Sequence, residues 1–172
     1  MRALGVSEGD RVVEVCSGNG YFALPAARIS SPEPVYAVDI DRKLLEEAAR
    51  LAERNGIGNL VTVHADACSL SDSLPVEADV AVVANVVHGV KDRVGFASEV
   101  RGSLRDDGRA VVVNWRDVPR EETTVCGEPR GPPGDLRLSP VETEDAFSEA
   151  GFEVERTVEL PPYHYGVVFV PE

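Results

Sequence analysis

The chain has 172 residues, of which 43% are apolar and 27% charged, a composition typical of a globular protein. Thirty acidic residues oppose 17 basic ones, and the net charge of −13 disfavours DNA or RNA as a partner because both are polyanions. No apolar run approaches the roughly 20 residues of a membrane-spanning helix, and the first residues lack a signal-peptide pattern. We therefore expect one soluble, cytoplasmic domain over residues 1–172, with no nucleic-acid or membrane partner.

Apolar residues recur at alternating strand and helix spacings along the chain. Strands are predicted over residues 11–16, 35–38, 60–65, 78–84 and 109–115. Helices are predicted over about 21–29, between Asp41 and Asn55, over 92–105 and over 140–150. Asp41 is expected to cap the second helix through its carboxylate. This alternation predicts a doubly wound α/β fold, a mostly parallel sheet with helices on both faces.

The end of the chain departs from this alternation. Residues 152–159 and 165–170 both read as strands, and no helix lies between them, so they must pair antiparallel. The complete prediction is a seven-stranded sheet with an antiparallel C-terminal hairpin. Residues 116–139 are rich in proline and glycine and are expected to form one long loop, of the kind that closes over an active site as a lid.

The three cysteines, Cys16, Cys68 and Cys126, are widely spaced and form no C-x-x-C pair. Neither a disulfide framework nor a zinc site is indicated. We expect reduced and mostly buried thiols, and no bound metal.

A glycine-containing turn joins the first predicted strand to the first helix, as in the nucleotide sites of doubly wound folds. Residues 18–23, Gly-Asn-Gly-Tyr-Phe-Ala, also fit the relaxed dinucleotide pattern G-x-G-x-x-A. Asp39 lies about where a ribose-binding acid is expected. These features alone fit either NAD or S-adenosylmethionine.

Three further features favour S-adenosylmethionine. Glu14 lies inside an otherwise apolar strand, and a buried carboxylate needs a cationic or donor-rich partner. An ammonium group would relieve that charge, whereas a pyrophosphate would add to it. Asp66-Ala67 ends the third strand where an adenine amino group could bind, and a dinucleotide fold does not normally end in an antiparallel hairpin.

With these motifs in order, the sequence resembles the class I, seven-stranded S-adenosylmethionine-dependent methyltransferases over about residues 5–170. Residues 14–20, Glu-Val-Cys-Ser-Gly-Asn-Gly, are similar to the family's first motif, E/D-x-G-x-G-x-G, with Cys16 in place of the first glycine. Residues 85–88, Asn-Val-Val-His, fall at the fourth motif. Residues 104–109 resemble the turn before strand five.

The resemblance implies a role for each of these positions. Glu14 would face the cofactor's ammonium, Asp39 its ribose hydroxyls, and Asp66 the adenine edge. The full implied set of cofactor-binding residues is Glu14, Cys16, Gly18, Gly20, Tyr21, Asp39, Ile40, Asp66, Ala67 and Asn85.

Other polar residues have two interpretations. His88 is a candidate general base, although a single histidine after a buried strand is more often a packed residue. Trp115, Tyr163, His164 and Tyr165 either line an acceptor pocket or cover the sheet edge.

The expected activity is transfer of a methyl group from S-adenosylmethionine to a small-molecule acceptor, with S-adenosylhomocysteine as product. Two alternatives stay open, a cofactor-binding regulatory protein without turnover and, with less support, an NAD-dependent oxidoreductase. The sequence leaves open whether the chain works as a homodimer.

Overall fold

A computed structural model describes residues 1–172. Seven strands form the main sheet: β1 (Val12–Val15), β2 (Val35–Asp39), β3 (Leu60–His64), β4 (Ala78–Ala84), β5 (Leu104–Trp115), β8 (Phe152–Leu160) and β9 (His164–Pro171). A separate hairpin consists of β6 (Thr124–Val125) and β7 (Glu128–Pro129). The order of the main sheet is β3-β2-β1-β4-β5-β9-β8.

Helices cover both faces of this sheet: α1 (Ala23–Ser30), α2 (Arg42–Arg54), α3 (Leu70–Ser73), α4 (Arg93–Gly102) and α5 (Pro140–Ser148). Phe96 and Phe147 belong to the buried cluster on one face, and Ala23 and Leu45 to the cluster on the other. Strands β1 and β2 are buried at every position, as expected for central strands of a parallel sheet. None of the helices has the length and apolar character needed to cross a membrane.

The C-terminal hairpin is antiparallel, as predicted. Strand β5 runs parallel to β4, and β9 runs antiparallel to both β5 and β8. Trp115 is paired with His164, which is in turn paired with Leu160. The hairpin therefore brings residues 160–164 to the edge where the parallel strands end. The doubly wound fold class is confirmed.

Strand β5 differs from its prediction at one end. It begins at Leu104, where a helix was expected to extend to residue 105, and α4 ends at Gly102. Leu104 pairs with Ala78 of β4, and a register shift separates this pair from the pairing of Val80 with Arg109. The polar residues between them therefore belong to an irregular strand, which tertiary pairing stabilises against their turn-forming preference.

Two other expectations are wrong. Residues 116–139 are not one uniform loop, because they contain the β6–β7 hairpin and two short 3₁₀ turns, Arg120–Glu122 and Gly134–Leu136. The thiols are not buried, because Cys16, Cys68 and Cys126 are all exposed in turns between regular elements. No group of three or more His, Cys, Asp or Glu side chains is placed to hold a metal ion.

Replacement of Phe147 tests the packing of α5. Its ring is fully buried and stacks on Phe169 with centroids 4.8 Å apart. Phe147→Ala is therefore expected to lower the free energy of unfolding by about 3–5 kcal/mol. Val141 lies on the same helix but is 61% exposed, so Val141→Ala should change that energy by less than about 0.5 kcal/mol. Urea denaturation measures both, and equal losses would contradict this packing.

Candidate functional site

The carboxyl ends of β1, β2, β4 and β5 lie along one edge of the sheet because these strands are parallel. Most of the residues selected from the sequence lie in the turns that leave this edge. Cys16 follows β1, Asp39 ends β2, and Asn85 follows β4. Ligands of open α/β sheets bind at this edge, where neighbouring connections diverge to opposite faces.

The two glycines of the first turn have different surroundings. Both have left-handed backbone, with φ of 56° at Gly18 and 84° at Gly20. A Cβ at Gly18 would meet nothing within 4 Å, so this glycine borders open space. A Cβ at Gly20 would come within 3.3 Å of the Ala48 methyl group on α2. Gly18 therefore lets a ligand approach the backbone, whereas Gly20 lets α2 approach the turn.

Glu14 is buried within β1 with an exposed fraction of 3%. Its Oε2 accepts a 2.6 Å hydrogen bond from the backbone N–H of Ala23, at the start of α1. No cation pairs with it. Burial raises the pKa of Glu14 to about 8, and the nearby Asp39 adds to this, although backbone donors from Ala23 and Phe22 oppose the shift. Glu14 is therefore a buried carboxyl group without a counter-ion beneath the glycine turn.

Asp39 connects two turns of the site. Its Oδ2 accepts a hydrogen bond from Gly18 N (2.7 Å), and its Oδ1 accepts one from Asp41 N (2.9 Å). Asp41 caps α2 by accepting from Lys43 N, as predicted. Asp39 is thus left free of the capping role.

Cys16 keeps the backbone of the glycine it replaces in the family motif, with φ of 56°. A non-glycine residue in this region is strained. Although Cys16 is an exposed residue, the surrounding protein removes part of the hydration of its thiol and raises the thiol's pKa to about 11, and the Asp39 and Asp66 carboxylates add to the shift. The thiol is therefore protonated and weakly nucleophilic at neutral pH.

The residues expected at the adenine lie along the next part of the edge. Ile40 is 67% exposed beside Asp39, an unusual position for a large apolar side chain. Asp66 caps a short 3₁₀ turn by accepting from Cys68 N, and Ala67 begins that turn. The His64 ring lies 3.0 Å from the Ile40 carbonyl oxygen, which links β3 to the end of β2.

Two polar atoms at this edge have no hydrogen-bond partner although they are buried. They are Asn85 Oδ1 and Ser17 Oγ. Asn85 also has left-handed backbone, with φ of 58°, while its N–H donates to the Val113 carbonyl. Unpaired buried polar atoms are costly and are often found where a ligand completes the hydrogen bonding.

Next to the glycine turn is a cleft of about 670 Å³. Tyr21 and Phe22 line it on the α1 side, and Trp115 and His164 on the β5–β9 side. Asn85 belongs to its lining too. This cleft is a candidate acceptor site adjoining the predicted cofactor residues.

The aromatic residues near the C-terminal hairpin divide between the two interpretations. Trp115 and His164 line the cleft. Tyr163 stacks on Trp115 and donates from its hydroxyl to the Thr124 carbonyl, so it supports the β6–β7 hairpin. Tyr165 is buried, and its hydroxyl is bonded to the Leu138 carbonyl, so it is a core residue.

His88 does not line the cleft. It lies half-buried in a 3₁₀ turn after β4, where burial and the Arg137 charge lower its pKa. His164, for which no separate catalytic role was predicted, is the histidine that lines the cleft. Pairing the last predicted strand with the fifth strand, residue by residue, is the step that could have placed it opposite Trp115.

Arg137 and Gly131 hold residues 116–139 against the sheet. The Arg137 guanidinium lies 5.5 Å from the centre of the Trp115 ring and donates to the Arg116 and Arg130 carbonyls. A Cβ at Gly131 would come within 2.7 Å of the same ring. Residues 116–139 therefore pack against the sheet through the Trp115 ring.

Comparison with known proteins agrees with this geometry. The family model described as a methyltransferase domain matches residues 13–112, more than half of the chain. The chain belongs to the S-adenosylmethionine-dependent methyltransferases. The family's cofactor is S-adenosylmethionine, which resolves the choice that the glycine turn alone leaves between it and NAD.

Individual relatives and solved structures show the degree of similarity. It is 30% identical over 152 residues to a ribosomal protein L11 methyltransferase from an Exiguobacterium strain, covering 88% of this chain and 40% of the relative. A solved Aquifex aeolicus SAM-dependent methyltransferase superposes with a TM-score of 0.84 at 21% identity, over 98% of this chain and 85% of the other. Aeropyrum pernix fibrillarin with natively bound S-adenosyl-L-methionine superposes with a TM-score of 0.70 at 17% identity, over 96% of this chain and 68% of the other. The chain thus spans well under half the length of its curated relative.

Glu14→Gln tests the buried carboxyl group. Because the folded protein raises the pKa of Glu14 from 4.5 to about 8, the folded state binds the extra proton between these values, and stability falls as the pH rises through that range. Glutamine keeps an oxygen for the Ala23 N–H and carries no charge. The variant should be more stable than the wild type at pH 8.5, by about 1–3 kcal/mol, and the gain should vanish near pH 4.5. Thermal unfolding at both pH values measures this, and a pH-independent difference would contradict it.

The Cys16 thiol can be followed by alkylation in the double variant Cys68→Ser/Cys126→Ser. Only the thiolate reacts, so with a pKa near 11 the rate of iodoacetamide labelling should rise about tenfold per pH unit from 7 to 9.5 without a plateau. A plateau near pH 9 would show an ordinary thiol. Mass spectrometry of quenched samples gives the rates.

Proposed function

We propose that this chain transfers the methyl group of S-adenosylmethionine to a small-molecule acceptor. The observation that carries the proposal is the Glu14 carboxyl group, buried without a counter-ion beneath a glycine turn that opens onto free space at Gly18. A cationic amino group is the ligand feature that would stabilise the ionised form of this carboxyl group. The amino-acid part of S-adenosylmethionine carries such a group.

The other polar groups along the edge fit the rest of the cofactor. Asp39 keeps unused lone pairs for the ribose hydroxyls, and Asp66 can accept from an adenine amino group. Asn85 Oδ1 and Ser17 Oγ, both buried and unpaired, offer partners for the methionine part. The remaining residues proposed to contact the cofactor are Cys16, Gly18, Gly20, Tyr21, Ile40 and Ala67.

When bound, S-adenosylmethionine supplies an electrophilic methyl group, and its sulfur keeps the electron pair of the broken carbon–sulfur bond. The chain has to hold the acceptor in line with that bond and to exclude water. Alignment of two reactants can by itself lower a barrier by roughly 7–11 kcal/mol. Tyr21, Phe22 and Trp115 surround the acceptor cleft with aromatic surface and suit this role. His88 is kept as a candidate base only for an acceptor that reaches beyond this cleft.

A small acceptor is favoured by the dimensions of the cleft. Its volume of about 670 Å³ lies within the roughly 300–1,000 Å³ common for small-molecule sites, and most of its lining is apolar. A protein acceptor is the second candidate, since several curated relatives are named ribosomal protein L11 methyltransferases. The net charge of −13 argues against a nucleic-acid acceptor. A binding protein without turnover would bind the cofactor and form no S-adenosylhomocysteine with any acceptor.

Asp39→Asn tests the cofactor site. The variant keeps the size of the side chain but removes its charge, and its amide nitrogen cannot accept from either Gly18 N or Asp41 N. Affinity for S-adenosylhomocysteine, measured by isothermal titration, should fall at least about tenfold, corresponding to the loss of one charged hydrogen bond.

Asp41→Asn is the matched control. Asparagine caps helices as well as aspartate does, so this variant should bind S-adenosylhomocysteine within about twofold of the wild type. Circular dichroism melting confirms that both variants are folded. Equal effects of the two substitutions would remove Asp39 from the cofactor site, and wild-type binding of NADH in a parallel titration would argue against the proposed function.

A further inference from the structure

The acceptor cleft has a charge distribution unlike that of the rest of the chain. The protein has 30 acidic side chains against 17 basic ones, yet no carboxylate is among the 13 residues that line the cleft. Arg130 is the only lining residue with a charged side chain. Carboxylates are gathered instead at the cofactor residues Glu14, Asp39 and Asp66. The two halves of the site therefore differ in sign.

The guanidinium of Arg130 is available to a ligand. It forms no hydrogen bond or salt bridge with any side chain or carbonyl of the protein. Its backbone, by contrast, is held on both sides, since Arg130 N donates to the Thr123 carbonyl (2.8 Å) and Arg130 O accepts from Arg137 (3.0 Å). A fixed backbone with a free guanidinium suits recognition of an anion entering the cleft.

A second positive charge lies behind the aromatic wall. Arg137 is 5% exposed, and its guanidinium donates only to uncharged oxygens: those of Pro132, Arg116, Arg130 and Thr123. Asp117 and Glu121 offset part of its charge but form no ion pair with it. Because it is partly shielded from water, its field extends through Trp115 towards the cleft.

The walls of the cleft favour a flat apolar molecule. Tyr21, Phe22 and Trp115 present aromatic rings, and Val113 and Leu160 add aliphatic surface. Aromatic ligands stack well on such rings, at centroid separations of about 4.5–7 Å.

His164 supplies a neutral acceptor of hydrogen bonds. Its ring is half-buried, lies 4.2 Å from the Trp115 ring centre, and has no hydrogen-bond partner in the protein. Burial lowers the pKa of His164, and the Arg137 charge lowers it further, so the ring is uncharged at neutral pH. One ring nitrogen of a neutral imidazole accepts a hydrogen bond.

We propose that the acceptor is a small hydroxylated aromatic acid, with its carboxylate bound by Arg130 and its hydroxyl group donating to His164. The hydroxyl oxygen would take the methyl group, its proton would pass to His164, and the cofactor's sulfur would keep the electron pair of the broken carbon–sulfur bond. This inference rests on the proposed methyl transfer and specifies the acceptor of that same site. The apolar rings hold the aromatic body, and the absence of carboxylates from the lining keeps the anion from being repelled.

Isothermal titration with two matched probes tests the charge requirement. Protein saturated with S-adenosylhomocysteine is titrated with 4-hydroxybenzoate and with 4-hydroxybenzamide, which has the same shape and hydroxyl but no charge. The benzoate should bind at least about tenfold more tightly, a difference of roughly 1.4 kcal/mol. Equal affinities, or binding of neither probe, would overturn the inference.

Substitution of Arg130 assigns the effect to a residue. Arg130→Gln should reduce the benzoate's affinity to about that of the benzamide and leave the benzamide unchanged. Arg120 lies in the same segment, is exposed and does not line the cleft, so Arg120→Gln should leave both affinities within about twofold. Equal effects of the two variants would show a general charge effect and overturn the assignment.

A third probe tests the proposed hydrogen bond between the acceptor's hydroxyl group and His164. Unsubstituted benzoate should bind the wild type more weakly than 4-hydroxybenzoate, and His164→Phe should abolish that difference. A difference that persists in the variant would remove His164 from the proposed contact.

These titrations measure cofactor binding and acceptor preference separately. If S-adenosylhomocysteine binds and the benzoate shows no preference over the benzamide, the acceptor class is wrong and the methyltransferase proposal stands. If S-adenosylhomocysteine itself does not bind, the proposed function fails first.

Discussion

The proposed cofactor side of this protein depends on one carboxylate that joins two turns. Asp39 accepts from the backbone of Gly18 after β1 and from that of Asp41 before α2, so the exits of two neighbouring strands are held in one arrangement. Without it, the glycine turn would have only backbone bonds such as Ser17 N to the Val38 carbonyl to fix it beside β2. The open space at Gly18 lies beside this bridge, whereas Glu14 is held below the turn by the pairing of β1 with β2 and β4.

The two halves of the proposed site are formed by different kinds of interaction. The proposed cofactor half uses short backbone turns at the ends of parallel strands, where carboxylates accept from backbone N–H groups and keep further lone pairs for a ligand. The proposed acceptor half uses side chains from distant parts of the sequence, Trp115, Arg130 and His164, which a hairpin and an arginine–tryptophan contact bring together. This division agrees with the general rule that one fold hosts different functions through the sites built on it.

Local patterns were enough to predict the sheet, its antiparallel end and the Asp41 cap, because periodicity and capping depend on residues near in sequence. The start of β5 was missed, since Leu104 becomes a strand residue only through its pairing with Ala78. The exposure of the thiols was missed because a cysteine in a turn carries no signal of its burial. His88 was preferred over His164 for its proximity to a motif, whereas lining of the cleft is decided by contacts between distant residues.

Trp115 is the only tryptophan of the chain, and it stands at the acceptor cleft with Arg137, His164 and the Gly131 backbone against its ring. Its emission is therefore a built-in optical reporter. An indole whose neighbours are a guanidinium and an imidazole has a quantum yield that changes when either is displaced. Light absorbed selectively by this residue reports on the candidate acceptor cleft, so a ligand that displaces either neighbour can be followed in real time without attaching a dye.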